Sequence, residues 1–361
     1  MINNPLDDII TLNIDISNPE ADIDWSDKIL VIVPAPTTGT TTLTKATSIS
    51  KAKELLEYGF AEDDVAYLAV KNAFEQSPCC SNLYVYVRQS KDSSTESIKT
   101  ALETAATQCQ FYGIHITSYA SVTADCKAAA DYAEENEKLF GFEYSDYSSF
   151  PLKSTDYYRT FAVYSGEPDE SDGETSDNGY AALALMSTCF SYDSGSETWA
   201  YKKLEGITPS YISQTEKKGL DEKNVTSFLR YAGTNVTIGG KVLSGEWIDV
   251  IRFRDWLKSS MQRAIFNTLR KMPKVPFNDN GIALIYAAMN SVLAEGQTVG
   301  GITTDEYDDD GNVVRAYEIT VPKASDLTEA QRKSRNLTGC TWTAKLAGAI
   351  HLVSIKGSLT F

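Results

Sequence analysis

The sequence predicts a mixed α/β fold in layers, in which short buried strands alternate with helices. Three observations support this. Ile29 to Val33 is a short apolar run of the kind that forms a buried strand. Glu62 to Gln76 carries apolar residues at helical spacing. The same alternation of strand and helix patterns continues to about Tyr164, which favours helices packed against a sheet.

The elements follow in order along the chain. Apolar alternation and short apolar runs predict strands over 82–88, 111–117, 140–144 and 158–164, and helical spacing predicts helices over 50–57, 94–107, 123–137 and 179–190. The polar stretch 36–44 is predicted to be a loop. Six acids and no base between Glu167 and Asp177 predict a solvated loop. The segment 298–321 predicts a hairpin whose turn is Asp308 to Asn312.

Both chain ends carry strand patterns. The first 27 residues hold seven acids and no base, and within them apolar and polar residues alternate strictly. This is an edge strand of its own domain or an arm that pairs with another subunit. Residues 349–361 also predict a strand. The candidate buried positions of the two predicted strands are Ile10, Leu12, Ile14, Ile16, Ile350, Leu352, Ile355, Leu359 and Phe361.

Composition excludes several classes of protein. The chain has 361 residues, of which 42% are hydrophobic and 23% are charged, so a globular protein is expected. The net charge of −16 disfavours nucleic acid as a partner. No apolar run is long enough for a membrane helix, and the N-terminus lacks a secretory pattern, so assembly in the cytosol is expected.

Catalytic and metal-binding signatures are not found in the sequence. Six scattered cysteines and two histidines offer no usable zinc spacing, and buried reduced thiols are expected. The acidic turn fails as an EF-hand because Tyr317 falls where a bidentate glutamate is needed. Phosphate loops and hydrolase triads are also missing. We therefore expect no enzyme activity and no cofactor.

The unusual feature is a basic segment, 252–274, with seven bases against one acid. Most of it has helical spacing, with an apolar stripe opposite Trp256, Arg263, Asn267 and Arg270. It is either a solvated helix face or a surface that meets an acidic partner.

Three stretches resemble the C-terminal part of contractile tail sheath proteins of phages and phage-tail-like bacteriocins. They are GITPSYISQTEKKGL from Gly206, GEWIDVIRFRDWLKSSMQRAIF from Gly245 and KVPFNDNGIALIYAAMNSVLAEGQTVGGI from Lys274. The similarity covers about residues 204–302 and is weaker near 29–87. Phe277-Asn278 departs from the family's common Tyr-Thr pair. The short length is closer to the compact sheaths of bacteriocins and related phages.

The resemblance implies a structural protein that stacks as hexameric rings around an inner tube and contracts. It implies an arm and linker at 1–27, an outer α/β domain at 28–203, an inner tube-facing domain at 204–348 and a strand arm at 349–361. The arms would add strands to neighbouring subunits. Other partners implied are a baseplate and a tail terminator, within a virion tail or released particle assembled in the bacterial cytoplasm. The implied tube contacts are Arg252, Arg254, Lys258, Arg263, Asn267, Arg270 and Lys274.

Two alternatives stay open at this point. One is another tail or baseplate scaffold protein, which shares assembly but not stacked self-polymerisation. The other is a soluble acidic α/β enzyme, which a small-molecule pocket with perturbed titratable residues would support. Formation of hollow cylinders would separate the sheath from the first of these.

Overall fold

The structure is a computed structural model that describes residues 27–91, 94–117, 122–146, 150–152, 156–169 and 179–356. The strands in these residues are β1 (Ile29–Val33), β2 (Thr47–Ile49), β3 (Leu83–Val87), β4 (Ser90–Lys91), β5 (Ser94–Thr95), β6 (Gly113–Ile116), β7 (Leu139–Tyr144), β8 (Thr160–Tyr164), β9 (Thr226–Tyr231), β10 (Thr234–Ile238), β11 (Glu306–Tyr307), β12 (Val313–Val314), β13 (Tyr317–Thr320) and β14 (Thr341–Ala344). The helices are α1 (Glu54–Glu57), α2 (Val65–Glu75), α3 (Ile98–Ala106), α4 (Val122–Glu135), α5 (Ala181–Phe190), α6 (Gln214–Glu222), α7 (Ile248–Lys271), α8 (Asp279–Thr298) and α9 (Glu329–Ser334). The fold is mixed α/β, as predicted.

An eight-stranded sheet forms the centre of the first of two compact units, residues 1–266. Its strand order is β10-β9-β8-β7-β6-β1-β3-β2. The six inner strands pair in parallel, and β2 and β10 add antiparallel edges. All five residues of β1 are buried, as expected for a parallel strand covered on both faces.

Helices cover both faces of this sheet. Alternate residues of β1 point to opposite faces, so Ile29 and Val31 join a core with α2, α5 and the start of α7, whereas Leu30 and Ile32 join a core with α3 and α4. Gly113 in β6 lets α5 lie close to the sheet, because a Cβ there would come within 2.5 Å of Met186 Sδ and 2.9 Å of the Phe190 ring. The predicted layers are therefore confirmed.

The second compact unit, residues 267–361, begins inside α7 and contains α8, α9 and the last four strands. Strands β11 and β12 form the predicted hairpin, in which the Asp308 carboxylate accepts hydrogen bonds from the backbone N–H groups of Asp310 (3.0 Å) and Asn312 (2.7 Å). Strand β13 pairs with β14, a pairing that the sequence did not indicate. The predicted domain division at 203/204 stays a prediction, although β9 and β10 complete the sheet of the first unit.

Helix boundaries differ from the sequence predictions at several places. Only Glu54–Glu57 of the predicted helix 50–57 is helical. Helix α7 begins four residues before the basic segment. It ends at Lys271, shortly before Pro273, because proline cannot continue a helix. Helix α8 extends to Thr298, so the segment predicted as a hairpin starts later than expected.

Candidate functional site: the long basic helix and the C-terminal segment

The first half of helix α7 is enclosed by the protein. Its charged residues Arg252, Asp255 and Lys258 are all buried, with 0%, 1% and 9% of their surface exposed. They recur every three residues, so they lie along one side of the helix within an arc of about 120°. Buried charges require partners, because burial without one is strongly unfavourable.

Arg252 pairs with the buried carboxylate of Glu197, which lies in the segment after α5. The same guanidinium group donates a hydrogen bond of 3.0 Å to the Cys189 carbonyl and lies over the Phe190 ring, 4.6 Å from its centroid. These contacts place the Arg252 side chain inside the unit and leave none of it at the surface.

Asp255 is the centre of the buried network. Its carboxylate accepts two hydrogen bonds from Arg159, at 2.8 and 3.1 Å, and one from the Tyr112 hydroxyl at 2.6 Å. The adjacent Arg254 donates to it as well, at 2.9 and 3.1 Å. Burial acts to raise the pKa of the Asp255 carboxyl, but Arg159 and Arg254 outweigh burial and hold that pKa below its usual value. Asp255 therefore stays ionised.

Lys258 faces Glu137, with its ammonium group 3.4 and 3.5 Å from the two carboxylate oxygens. Glu137 also lies 3.8 Å from Arg159, which links the Lys258 pair to the Asp255 pair. Burial raises the pKa of Glu137 to about 7, although Arg159 and Lys258 both favour the ionised form.

The structure thus corrects the expectation that the basic residues at the start of this segment face a partner. Arg252 and Lys258 are buried, and the Arg254 side chain is only 13% exposed and bound to Asp255. Their charges pair with carboxylates of the same unit. Sequence reasoning missed the partners Tyr112, Glu137, Arg159 and Glu197, since nothing in their local patterns indicates pairing with residues far along the chain.

The remaining predicted tube residues lie farther along the helix. Arg263 and Arg270 are exposed and Asn267 is half-buried. Their spacing of four and three residues places them on one face of α7, and Arg270 lies 3.5 Å from the Asn267 side-chain oxygen. Lys274 is exposed but lies beyond the end of the helix at Lys271.

The C-terminal segment leaves large apolar side chains in solvent. Ile350 is 84% exposed, Leu352 90%, Val353 73% and Ile355 89%. Residues 349–356 form no strand within the chain, although the sequence predicts one. In an extended conformation, Ile350 and Leu352 would point to one side and Val353 and Ile355 to the other. Val353 was not among the predicted arm residues.

The other predicted arm positions cannot be placed. Ile10, Leu12, Ile14 and Ile16, together with Leu359, lie outside the described residues. The acidic loop predicted at 167–177 is described only as far as Asp169.

The described ranges contain no group of three or more His, Cys, Asp or Glu residues that could hold a metal ion. They also contain no helix that is long and apolar enough to cross a membrane.

Comparison with known proteins finds a similarity to a sheath family over the long helix and the C-terminal segment. Residues 248–359 match the family model described as E217 tail sheath protein gp31-like, C-terminal domain. This range runs from the start of α7 to near the end of the chain, so both candidate surfaces lie within it. A search of curated protein sequences gives no significant match.

Solved structures extend the likeness to nearly the whole chain. The helical sheath of the anti-feeding prophage in its contracted state has a TM-score of 0.68 at 13% identity, covering 96% of this chain and 99% of that one. The sheath complex of the extracellular contractile injection system PVC, also contracted, has a TM-score of 0.63 at 12% identity, covering 97% and 98%. The sheath tail protein Lin1278 from Listeria innocua has 0.57 at 11% identity, covering 83% and 90%. The resemblance to contractile tail sheath proteins is confirmed, and these solved structures share the fold of this chain.

Proposed function

We propose that this chain is the structural subunit of a contractile tail sheath. Subunits assemble as hexameric rings stacked around an inner tube, and contraction of the stack drives the tube through a target cell envelope. The role is structural and requires no catalysis. The family match over 248–359 and the sheath fold over nearly the whole chain support this proposal.

The observation that carries the proposal is the exposed apolar C-terminal segment. Four large apolar side chains within six residues, each at least 73% exposed, are unfavourable in an isolated subunit. Pairing with a strand of a second subunit would bury these side chains and satisfy the backbone hydrogen-bonding groups. Ile350, Leu352, Ile355 and Leu359 are therefore proposed as residues of a donated strand.

The N-terminal segment is proposed as the second donated strand. The strict alternation of Ile10, Leu12, Ile14 and Ile16 with polar residues suits a strand with one buried face. Residues 17–25 then act as a linker that, fully extended at up to about 3.6 Å per residue, spans roughly 30 Å. Such a linker would let subunits move apart during contraction while their strands stay paired.

The second half of α7 is proposed to meet the inner tube. Arg263, Asn267 and Arg270 share one face, and Lys274 follows shortly after the helix. Solvent-accessible ion pairs are weak and sensitive to salt, which suits a contact that must be released on contraction. The proposed partners are further copies of this chain, the tube protein, and a baseplate and tail terminator at the ends, assembled in the bacterial cytoplasm.

Truncation tests the assembly part of the proposal. Chains lacking residues 1–17 or residues 349–361 should stay folded and monomeric in sedimentation velocity at concentrations where the full chain forms large assemblies. If either truncated chain assembles as the full chain does, that segment is not an assembly arm.

Charge reversal tests the tube contact. The double variant Arg263→Glu/Arg270→Glu should fold normally but retain less tube protein when the two are co-expressed and purified together. The matched control is Arg332→Glu/Lys333→Glu on α9, where both bases are also exposed. Equal tube recovery with both variants would contradict this assignment and favour a solvated helix face.

A further inference from the structure

The buried charges of α7 alternate in sign along the helix axis. Arg252, Asp255 and Lys258 carry positive, negative and positive charge at intervals of three residues. The partners that face them alternate in the opposite sense, since Glu197 is acidic, Arg159 is basic and Glu137 is acidic. These partners come from three separate segments, which follow α5, precede β8 and follow α4.

This arrangement depends on the axial position of the helix. A slip of three residues displaces a helix by about 4.5 Å along its axis and turns it by about 60°. Asp255 would then lie against Glu197 or Glu137, and Arg159 would face Arg252 or Lys258. Every such contact joins like charges in a buried environment, where their repulsion is strong and no opposite charge offsets the cost of desolvation.

Stability alone does not account for such a network. Apolar residues of similar volume commonly replace buried ion pairs without loss of stability, whereas a polar group at a single buried position can fix the register of packed helices. Leu257 and Met261 already bury apolar surface on α7, at 4% and 0% exposure. Their nondirectional packing would tolerate small shifts that the charges do not.

We infer that the Arg252, Asp255 and Lys258 series, facing Glu197, Arg159 and Glu137, fixes the axial register of α7 within the first unit. The mechanism is discrimination against slipped positions by like-charge contacts, rather than added stability in the observed position. The inference concerns the single chain and does not depend on the sheath function. In a sheath, it would keep the helix in register while subunits move.

A variant with an apolar centre tests the inference. Tyr112→Phe/Arg159→Met/Asp255→Leu removes the central charge pair together with the hydroxyl that hydrogen-bonds to it. The matched control, Arg88→Met/Asp125→Leu, removes another buried ion pair, with a separation of 2.9 Å, that does not involve α7.

Axial position is read by pulsed electron paramagnetic resonance between spin labels at Lys99→Cys and Arg263→Cys, both exposed positions of the first unit. The partly exposed Cys79, Cys109 and Cys340 are first replaced by Ser. The wild-type background and the control should give one narrow distance distribution. The apolar variant should give a broadened distribution, or a second population that reflects the slip of about 4.5 Å.

A folded apolar variant with the wild-type distribution would overturn the inference. Unfolding of this variant, while the control stays folded, would also overturn it, because the network would then be needed for stability. Asp255→Asn provides a second variant of nearly unchanged shape, in which the repulsion of residue 255 by Glu197 or Glu137 in a slipped position is lost, whereas the repulsion between Arg159 and Arg252 or Lys258 is kept. It should also broaden the distribution, and a narrow one would count equally against the inference.

Discussion

Replacing Leu352 by Asp should separate assembly from folding. Leu352 is 90% exposed in the single chain, so the substitution changes almost no internal contact. The free energy of unfolding should stay within about 0.5 kcal/mol of wild type, as for other surface substitutions. Assembly should respond differently, because a donated strand would bury this side chain against a neighbouring subunit.

The size of the effect follows from that burial. Transferring a leucine side chain from water to an apolar contact contributes about 1.5–3 kcal/mol, and a buried carboxylate adds a desolvation cost. A loss of about 2 kcal/mol per subunit contact corresponds to roughly a 30-fold change in an equilibrium constant. The critical concentration for assembly should therefore rise by at least about 30-fold.

The assay is pelleting of a concentration series, paired with urea unfolding of the unassembled chain. Tyr211→Asp is the matched control, because Tyr211 is 68% exposed and lies in the first unit. The control should assemble at the wild-type concentration. An unchanged critical concentration for Leu352→Asp would refute the assignment of this segment as a donated strand.

Two further predictions concern the buried charges. Arg252→Met should reduce the free energy of unfolding by about 3–5 kcal/mol, because Glu197 would stay buried without its partner. The control Arg263→Met, at an exposed position, should change that free energy by less than about 0.5 kcal/mol. Equal urea midpoints for the two variants would contradict the buried pairing. Burial and the nearby Glu197 carboxylate raise the pKa of Asp249 to about 6. The folded state then binds the proton of the Asp249 carboxyl more tightly than the unfolded chain does. The contribution of protonated Asp249 to the free energy of unfolding is therefore present at acidic pH and is lost as pH rises through about 6. Asp249→Asn should therefore flatten the decline in urea midpoint between pH 4.5 and 7.5, and an unchanged profile would contradict this.

Five strands of the central sheet could be predicted because they are mostly apolar. The strands β2, β9 and β10 carry more polar residues and were not predicted. Ile29–Val33 is a continuous apolar run, and that pattern directly reflects burial on both faces. Helix α7 as a whole was also foreseeable from its spacing. Its termini were less certain, since local patterns define the ends of helices poorly.

The environment of the basic residues could not be predicted from local sequence. Charge runs usually lie on solvated faces, and Arg252 and Lys258 depart from this rule because Glu197 and Glu137 approach them from distant parts of the chain. The charges of residues 252, 255 and 258 were visible in the sequence, but their meaning depends on those partners.

The C-terminal segment shows a different limit of prediction from the sequence. Its composition predicts a strand, but a strand needs a neighbour for its backbone hydrogen bonds, and residues 349–356 form no strand within the single chain. The sequence pattern therefore predicts a strand that the described residues of the single chain do not form. This is the physical reason for expecting that a second subunit supplies the missing strand.

Electron microscopy of the full chain, concentrated alone and co-expressed with its tube protein, tests the central claim most directly. The sheath assignment predicts hollow cylinders with regular stacked striations, alone or around a tube. Uniform small particles under both conditions would contradict that assignment and favour a tail or baseplate scaffold that does not polymerise by itself.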